Sequence, residues 1–430
     1  MSPVSPVNNE AHHSNQSYRD VLRNGHVAGL LLGDLLANAG TGMIIVAMPV
    51  QTLAIHGSVP KAIAIGLVEA APYILSTILA LSIGLGRIKI QPRTLLITDC
   101  ALRSLTFAGL GALAVAGELT LPILIAGLLV GATFRMAGSS SRRLLATSMA
   151  GDAGRFAVNG LLGLNATLAL YIIGPILGGV IVASSSAGVA LFFDAFGALI
   201  PLAAVLLSVA RTSVNEPDAS RDRPPHQSGW QILHRRPVAA RLLFVEFFFN
   251  FFYMPIEVAL PLYVRGTLGG DASGLGLMWG ALGAGAVVGA AMVNQLRQLP
   301  QRQLLITIIG LWAMCPIALA FVDDLTTAMM VFALGGLVWA PFNPVAYSFL
   351  QSGLEANEQQ QAVTLWTTGS LIAAPLGLMA GGPLIELAGT TAGLAWSGGL
   401  TLLLLPIAAL AVLRRTAEPV TLLATTPSGQ

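Results

Sequence analysis

The sequence predicts an all-α protein that crosses a lipid bilayer about twelve times, arranged as two six-helix halves. Two observations carry that prediction. First, the 430-residue chain is 55% hydrophobic and only 10% charged, with a mean hydropathy of +0.76, against roughly 25% charge in soluble domains. Its apolar runs are about 20 residues long, the length of a spanning helix, where barrel strands would be about 10 residues of alternating polarity. Second, Asp34, Asn38, Val46, Ala47 and Pro49 line up with Glu246, Asn250, Val258, Ala259 and Pro261, 212 residues later. One acid and one amide, at the same i, i+4 spacing, stand twice inside otherwise apolar helices.

The elements follow in order. Residues 1–26 mix Pro, Asn, His, Ser and charge without an apolar core, which predicts a cytoplasmic tail and no cleaved secretory signal. The first span begins near Val27 and carries Asp34 and Asn38 on one face, about 10 Å from its inner end at 1.5 Å rise per residue. The second begins near Ala62 and holds Glu69, whose counterpart in the second half is Trp279. The third begins near Thr94 with Asp99 and Arg103, the fourth near Pro122 with Arg135, the fifth near Phe156 with the string GPILGG, and the sixth near Gly188 with Asp194. These make a bundle over residues 27–210. Residues 211–239 are too rich in Pro and charge to span and read as a cytoplasmic linker, with one short amphipathic piece around Trp230 to Leu233. The second bundle, residues 240–415, has spans starting near Arg241, Gly274, Leu304, Thr327, Ala362 and Gly393, and residues 416–430 form a cytoplasmic tail.

Charge fixes the expected orientation. With both termini inside, all but four of the 22 Lys and Arg residues fall at inner boundaries, including Arg87, Lys89, Arg93, Arg297, Arg414 and Arg415, as the positive-inside rule requires. Lys61 and Arg265 fall outside, and Arg103 and Arg135 lie within helices. The duplication continues beyond the first span: Gly66, Leu67, Arg87 and Leu95 match Gly276, Leu277, Arg297 and Leu305 at an offset of 210. Six spans per copy is an even number, so the copies share orientation about an axis along the membrane normal. Such a duplication binds its ligand between the halves and opens alternately to either side. Cys100 and Cys315 sit in separate apolar runs and read as buried small hydrophobes rather than a disulfide or metal pair. The net charge of +2 follows the membrane and is no nucleic-acid signal.

At this point the chain resembles the major facilitator superfamily from about Gly25 to Arg415. Within it, the chain is similar to the twelve-helix bacterial efflux branch that includes macrolide and siderophore exporters. The residues that carry the resemblance are Leu32-Gly33-Asp34, Asp99 with Arg103, and Gly174, Pro175, Gly178 and Gly179 of GPILGG, which resembles the antiporter motif of the fifth helix. In that motif glycines permit close helix approach and the proline bends the chain. Arg135-Met136-Ala137-Gly138 partly matches the family's R-x-x-Q-G motif, without its Gln. The family's loop between the second and third spans reads like G-x-L-A-D-R-x-G-R-R; here IGLGRIKIQPR keeps Arg87, Lys89 and Arg93 but has no acid, and its second-half counterpart NQLRQLPQRQ has none either. Gating contacts therefore do not transfer wholesale, and Asp99 stands where it partly substitutes.

Each polar residue inside the spans has two readings. Asp34, desolvated, takes a proton that competes with substrate or with pairing to Arg135, or it makes a structural ion pair. An acid in a lipid-spanning helix costs about 3 kcal/mol and by default marks a pathway. Glu69, unduplicated, joins Asp34 and Arg135 as a proton-coupling candidate; Glu257 ranks below it. Asn38, Glu246, Asn250, Trp339 and Asn343 are the cavity candidates, although Glu246 also has Arg241 near enough to draw it toward the interface. The aromatic run Phe247 to Tyr253 is either a wall for an apolar ligand or lipid-facing bulk. Asp99 and Arg103, one turn apart, read first as an intrahelical pair. Asp194 and Glu386 read as buried polar anchors or interface residues, and the stripe Trp339, Asn343, Tyr347 reads equally as ligand contact or packing.

Other classes are excluded by what the chain lacks. No G-K-[ST] string exists for an ATP-driven pump, and the six His residues lie in tails, loops or helix ends rather than in a catalytic cluster. The reading is therefore a bacterial inner-membrane secondary transporter, not an enzyme, without cofactor or metal and monomeric, which uses protons to export a small apolar or amphipathic compound. Proton-coupled or facilitated uptake is the alternative, and a non-transporting sensor with the same fold a remote one.

Overall fold

The structure is a computed structural model in which residues 17–84, 87–208, 229–296, 298–352 and 354–413 are described. Arg297, Arg414, Arg415, most of the linker and both extreme tails lie outside the described residues. Every regular element among the described residues is helical. A capped surface helix, α1 (Tyr18–Arg23), precedes twelve spans. The first three are α2 (Gly25–Ile55), α3 (Lys61–Gly84) and α4 (Pro92–Ala116). The fourth is α5 (Leu121–Gly131) followed by the part of α6 (Arg135–Asn165) up to Gly151, and the fifth runs from the rest of α6 through a π-helical stretch (Ala166–Ile173) into α7 (Gly174–Ser184). The sixth is α8 (Ala187–Ser208). A short helix α9 (Gly229–Arg235) covers the amphipathic piece of the linker and leads into α10 (Pro237–Gly266), the seventh span. Then come α11 (Ala272–Ala291), the short α12 (Val293–Leu296), α13 (Gln301–Leu319), α14 (Leu325–Trp339) with α15 (Phe342–Ser352), α16 (Ala356–Ala388), and α17 (Thr390–Leu402) with α18 (Leu404–Leu413). The twelve spans begin within four residues of the positions read from hydropathy.

Three irregularities place the functional residues. The fourth span turns out of helical geometry between Gly131 and Arg135, and the tenth breaks between Trp339 and Phe342, so Arg135 and Trp339 stand at matching breaks near the middle of their spans. In membrane transporters generally, discontinuous helices at mid-depth build the binding site. In the fifth span, Pro175 lacks the N–H that would bond the Tyr171 carbonyl and crowds it. The turn before it widens into the π-helix that carries Tyr171, a distortion common at functional sites. Between the fourth and fifth spans the chain reverses at Gly151, whose φ of +68° suits glycine.

The halves meet along two seams, α3 against α16, and α7 with the π-helical stretch against α11. Both seams include close glycine approaches toward the end of the bundle away from the termini. A methyl on Gly66 would lie 2.6 Å from the Leu378 carbonyl oxygen, and one on Gly179 would lie 2.7 Å from that of Ala272. The apolar core of the second half crosses this seam to take in Val46, Ala62, Ile65, Val182 and Ala190 of the first half. Nearer the middle, the Thr77 hydroxyl donates to the Leu371 carbonyl at 3.4 Å. Cys100 and Cys315 are both free and buried.

Candidate functional site

Two polar constellations occupy the spans. The first lies wholly within the first half. Asp34 is buried; its Oδ1 accepts from Arg142 at 3.0 Å and its Oδ2 accepts from Asn38 at 3.1 Å. The i, i+4 acid–amide bond is the one the spacing implied. The cation is not Arg135, as the sequence suggested, but Arg142, two turns further along α6. The seven-residue step puts both arginines on one helix face, which is the signal that would have nominated it.

Arg103 also departs from expectation. Instead of closing along its own helix onto Asp99, its guanidinium crosses to Asp194 of α8. Nε donates to Oδ2 at 2.9 Å, and a second nitrogen reaches Oδ1, the Thr41 hydroxyl at 2.8 Å and the Ala37 carbonyl at 3.3 Å. The planar fork is satisfied by a carboxylate facing it, a better match than a neighbour on the same helix offers. Asp194 is fully buried, an anchor as read. Asp99, only 2% exposed, keeps an Oδ1 with no hydrogen-bond partner and presses against Gly138 of α6.

The second constellation joins the halves. Glu69 and Tyr73 of α3, Arg135 of α6, Tyr171 of the π-helical stretch, Tyr253 and Glu257 of α10 and Trp339 of α14 converge near the middle of their spans. The Arg135 guanidinium lies 5.8 Å from the centre of the Tyr73 ring, a cation–π contact. Trp339 meets Tyr171 edge-on at 5.9 Å and stacks with Tyr253 at 6.0 Å, so an aromatic bridge runs from one half to the other. Tyr253 donates to Glu257, and Glu69 lies in the electrostatic reach of both Glu257 and Arg135. Glu69 Oε1 is buried without a partner. Tyr73 and Tyr171 were not singled out by the sequence, yet three of the chain's six tyrosines meet here. Tyrosine inside a spanning helix needs a partner for its hydroxyl, and that scarcity was the available clue.

The remaining candidates separate. Glu246 does not reach for the interface: it is 1% exposed, and its Oε1 accepts from Asn250 at 2.8 Å and from the Ser370 hydroxyl of α16. The repeat thus reproduces the Asp34–Asn38 bond but gives it a neutral third partner in place of Arg142. Phe249 stacks on Phe342 at 3.8 Å inside the second-half core, so that part of the aromatic run is packing. The tenth-span stripe divides as well. Trp339 joins the central site, Asn343 is exposed, and Tyr347 packs edge-on against Trp366. Arg87 and Lys89 are exposed in the loop after the second span, and Arg93 holds a buried Nε without a partner. Gly174, Pro175, Gly178 and Gly179 line the fifth-span seams: Gly174 and Gly178 pack on α2 and Gly179 on α11, while Pro175 sets its ring against Gly42 of α2 and its carbonyl against Gly276 of α11. No group of three or more His, Cys, Asp or Glu residues able to hold a metal is found among the described residues.

A family model described as transmembrane secretion effector matches residues 20–352. The chain is similar to the multidrug efflux pump Tap of Mycolicibacterium fortuitum, 28% identical over 382 residues that cover 85% of this chain and 91% of that one. It is likewise 27% identical to Tap of Mycobacterium tuberculosis, covering 84% and 87%. Among solved structures, the nucleoside transporter NupG aligns over 90% of this chain and 98% of its own at a TM-score of 0.68 and 12% identity, a likeness of fold.

Proposed function

Since the chain belongs to the transmembrane secretion effector family of the major facilitator superfamily, and is thereby a secondary transporter of small molecules, we propose that it exports an amphipathic compound in exchange for protons. The observation that supports this most is the central site. Side chains from both halves meet near the middle of their spans and combine an aromatic bridge with two acids and one arginine. An apolar body stacks against Trp339 and the tyrosines while a polar end meets Glu69, Glu257 and Arg135; apolar surface with a few placed polar groups is the usual make-up of a small-molecule site.

Export is favoured because the curated relatives are named efflux pumps. Proton coupling is favoured because buried acids in spanning helices, Asp34, Asp99, Glu69, Glu246 and Glu257 here, are the groups through which such carriers exchange protons. The exporter works as a monomer in the bacterial inner membrane with both termini in the cytosol, in keeping with the crowding of Arg and Lys at the terminal end. In that orientation the two glycine seams seal the outer side, and the conformation described is the one that loads from the cytosol.

The test is substrate-triggered proton movement in proteoliposomes, with a dye and antibiotic panel and an internal pH probe. Protons moving against the substrate support the exporter. Protons moving with it make the protein an importer, and transport indifferent to a proton gradient makes it a facilitator.

A further inference from the structure

We propose that Asp99 of the third span carries the exchangeable proton of the first half, and that Arg142 is shared between Asp99 and Asp34 as that proton comes and goes. The proposal rests on the proton-coupled reading above.

Buried acids outnumber the arginines that pair with them in the first half. The first half buries three aspartates, Asp34, Asp99 and Asp194, and two arginines that pair with them, Arg103 and Arg142. Arg103 is committed to Asp194 through a two-nitrogen fork, and Arg142 to Asp34 at 3.0 Å. Both Asp34 oxygens are occupied, one by Arg142 and one by Asn38. Asp99 is the acid left over. It is 2% exposed, and its Oδ1 has no partner. An unpaired carboxylate buried in this way is expensive and neutralises by binding a proton. With Asp99 protonated the five groups sum to zero charge; with Asp99 ionised they sum to −1.

The surroundings supply somewhere for that charge to go. The charged groups facing Asp99 are Arg103 on its own helix, Arg142 and Arg135 on α6 and Asp194 on α8, with the Cys100 thiol beside it. Arg142 holds a buried Nε with no partner, so it has a donor to offer a second carboxylate. Gly138, one turn before Arg142 on α6, touches the Asp99 carboxyl, and any side chain there would collide with it. This glycine lets the arginine-bearing face of α6 lie directly on Asp99. The step balances simply. Asp99 gives its proton to water, its carboxylate takes an N–H bond from Arg142, and the hold of Arg142 on Asp34 loosens, which frees α6 to move against α2. A small cavity lined by Thr41, Arg103, Phe107 and Arg135 adjoins both Arg103 of this network and Arg135 of the central site.

The experiment is pH-difference infrared spectroscopy of the full-length protein in liposomes, with and without 13C-labelled aspartate. It needs no substrate, so its failure is separable from failure of the transport reading, which the proteoliposome flux measurement decides. The expected result is a label-sensitive band of a protonated aspartic acid that disappears as pH rises. Asp99→Asn removes the band. Asp34→Asn weakens it at unchanged pH, because the freed Arg142 passes to Asp99. No protonated aspartate at any accessible pH overturns the proposal, and so does a band that survives Asp99→Asn and is lost outright in Asp34→Asn. Should Asp99→Asn fail to fold, Gly138→Ala keeps the acid and displaces it: a shift of the band supports the assignment, and an unchanged band refutes it.

Discussion

Arg103 of the third span and Asp194 of the sixth form a two-point ion pair in the interior of the first half, with Thr41 and the Ala37 carbonyl of the first span as further acceptors. One guanidinium thereby ties three helices together. Removing a single partner from a buried pair strands the other charge, at a cost of about 3–5 kcal/mol. Asp194→Asn and Arg103→Ala are each expected to lower the melting temperature in detergent sharply. Arg103→Lys rescues little, since an ammonium cannot match the fork. The double replacement Arg103→Met with Asp194→Leu is expected to recover most of the loss, because it removes both charges together. Tryptophan-fluorescence melting of the four variants checks the ordering.

The central site predicts a charge preference. Two acids, Glu69 and Glu257, meet one arginine, so the site carries one net negative charge when both acids are ionised. Tetraphenylphosphonium and tetraphenylborate have nearly the same shape and opposite charge. The cation is expected to bind the purified protein and the anion not to. Glu257→Gln and Glu69→Gln should each weaken cation binding about tenfold, roughly 1.4 kcal/mol. Trp339→Ala should weaken binding of the cation through lost stacking without removing the preference for it over the anion. Equilibrium binding by scintillation proximity or calorimetry separates the two effects.

How far the sequence carried this picture depends on the kind of contact. Intrahelical relations were legible because they follow from pitch: Asp34 with Asn38 and Glu246 with Asn250 both bond at the i, i+4 spacing read from the chain. The spans and their order were legible because hydropathy is summed over long windows. Partners across the bundle were not. Periodicity says which face a residue occupies but not which helix stands opposite or at what height, and an arginine side chain reaches far enough to choose among several acids. That is why Arg142 rather than Arg135 holds Asp34, and Asp194 rather than Asp99 holds Arg103. The convergence of Tyr73, Tyr171 and Tyr253 was hidden for the same reason, with the added twist of a π-helical turn that no window detects.

The glycine seams predict a conformational bias. A side chain on Gly276 would collide with the Pro175 carbonyl, and one on Gly66 would come within 2.6 Å of that of Leu378. Both changes act only where the halves touch away from the termini. Gly276→Leu is therefore expected to push the transporter toward the conformation open at that end, with little change in the stability of either half. Spin labels at Lys61 and Thr390, in a background lacking Cys100 and Cys315, report the distance across that end. Gly276→Leu should add a longer component, and a distance distribution identical to that of the parent protein would count against the seam as the seal.

At the terminal end, Arg236 ties the linker to the eleventh span. Arg236, immediately before α10, donates through Nε to Glu358 at 3.1 Å and through a terminal nitrogen to Glu355 at 2.9 Å. The two acids are not equivalent. The Glu355 side chain is 68% exposed, whereas that of Glu358 is 6% exposed and also accepts from the Glu355 backbone N–H in a capping box at the start of α16. An exposed pair is worth about 0–1 kcal/mol, while loss of a cap costs about 1 kcal/mol in addition to the buried partner left behind. Glu358→Ala is thus expected to fray the first turns of α16 measurably, and Glu355→Ala to do so weakly. Hydrogen exchange of backbone amides near the start of α16 reads the difference directly. Equal protection in the two variants would mean that Arg236 holds the linker through Glu355 alone and that the buried carboxylate contributes nothing to the tie.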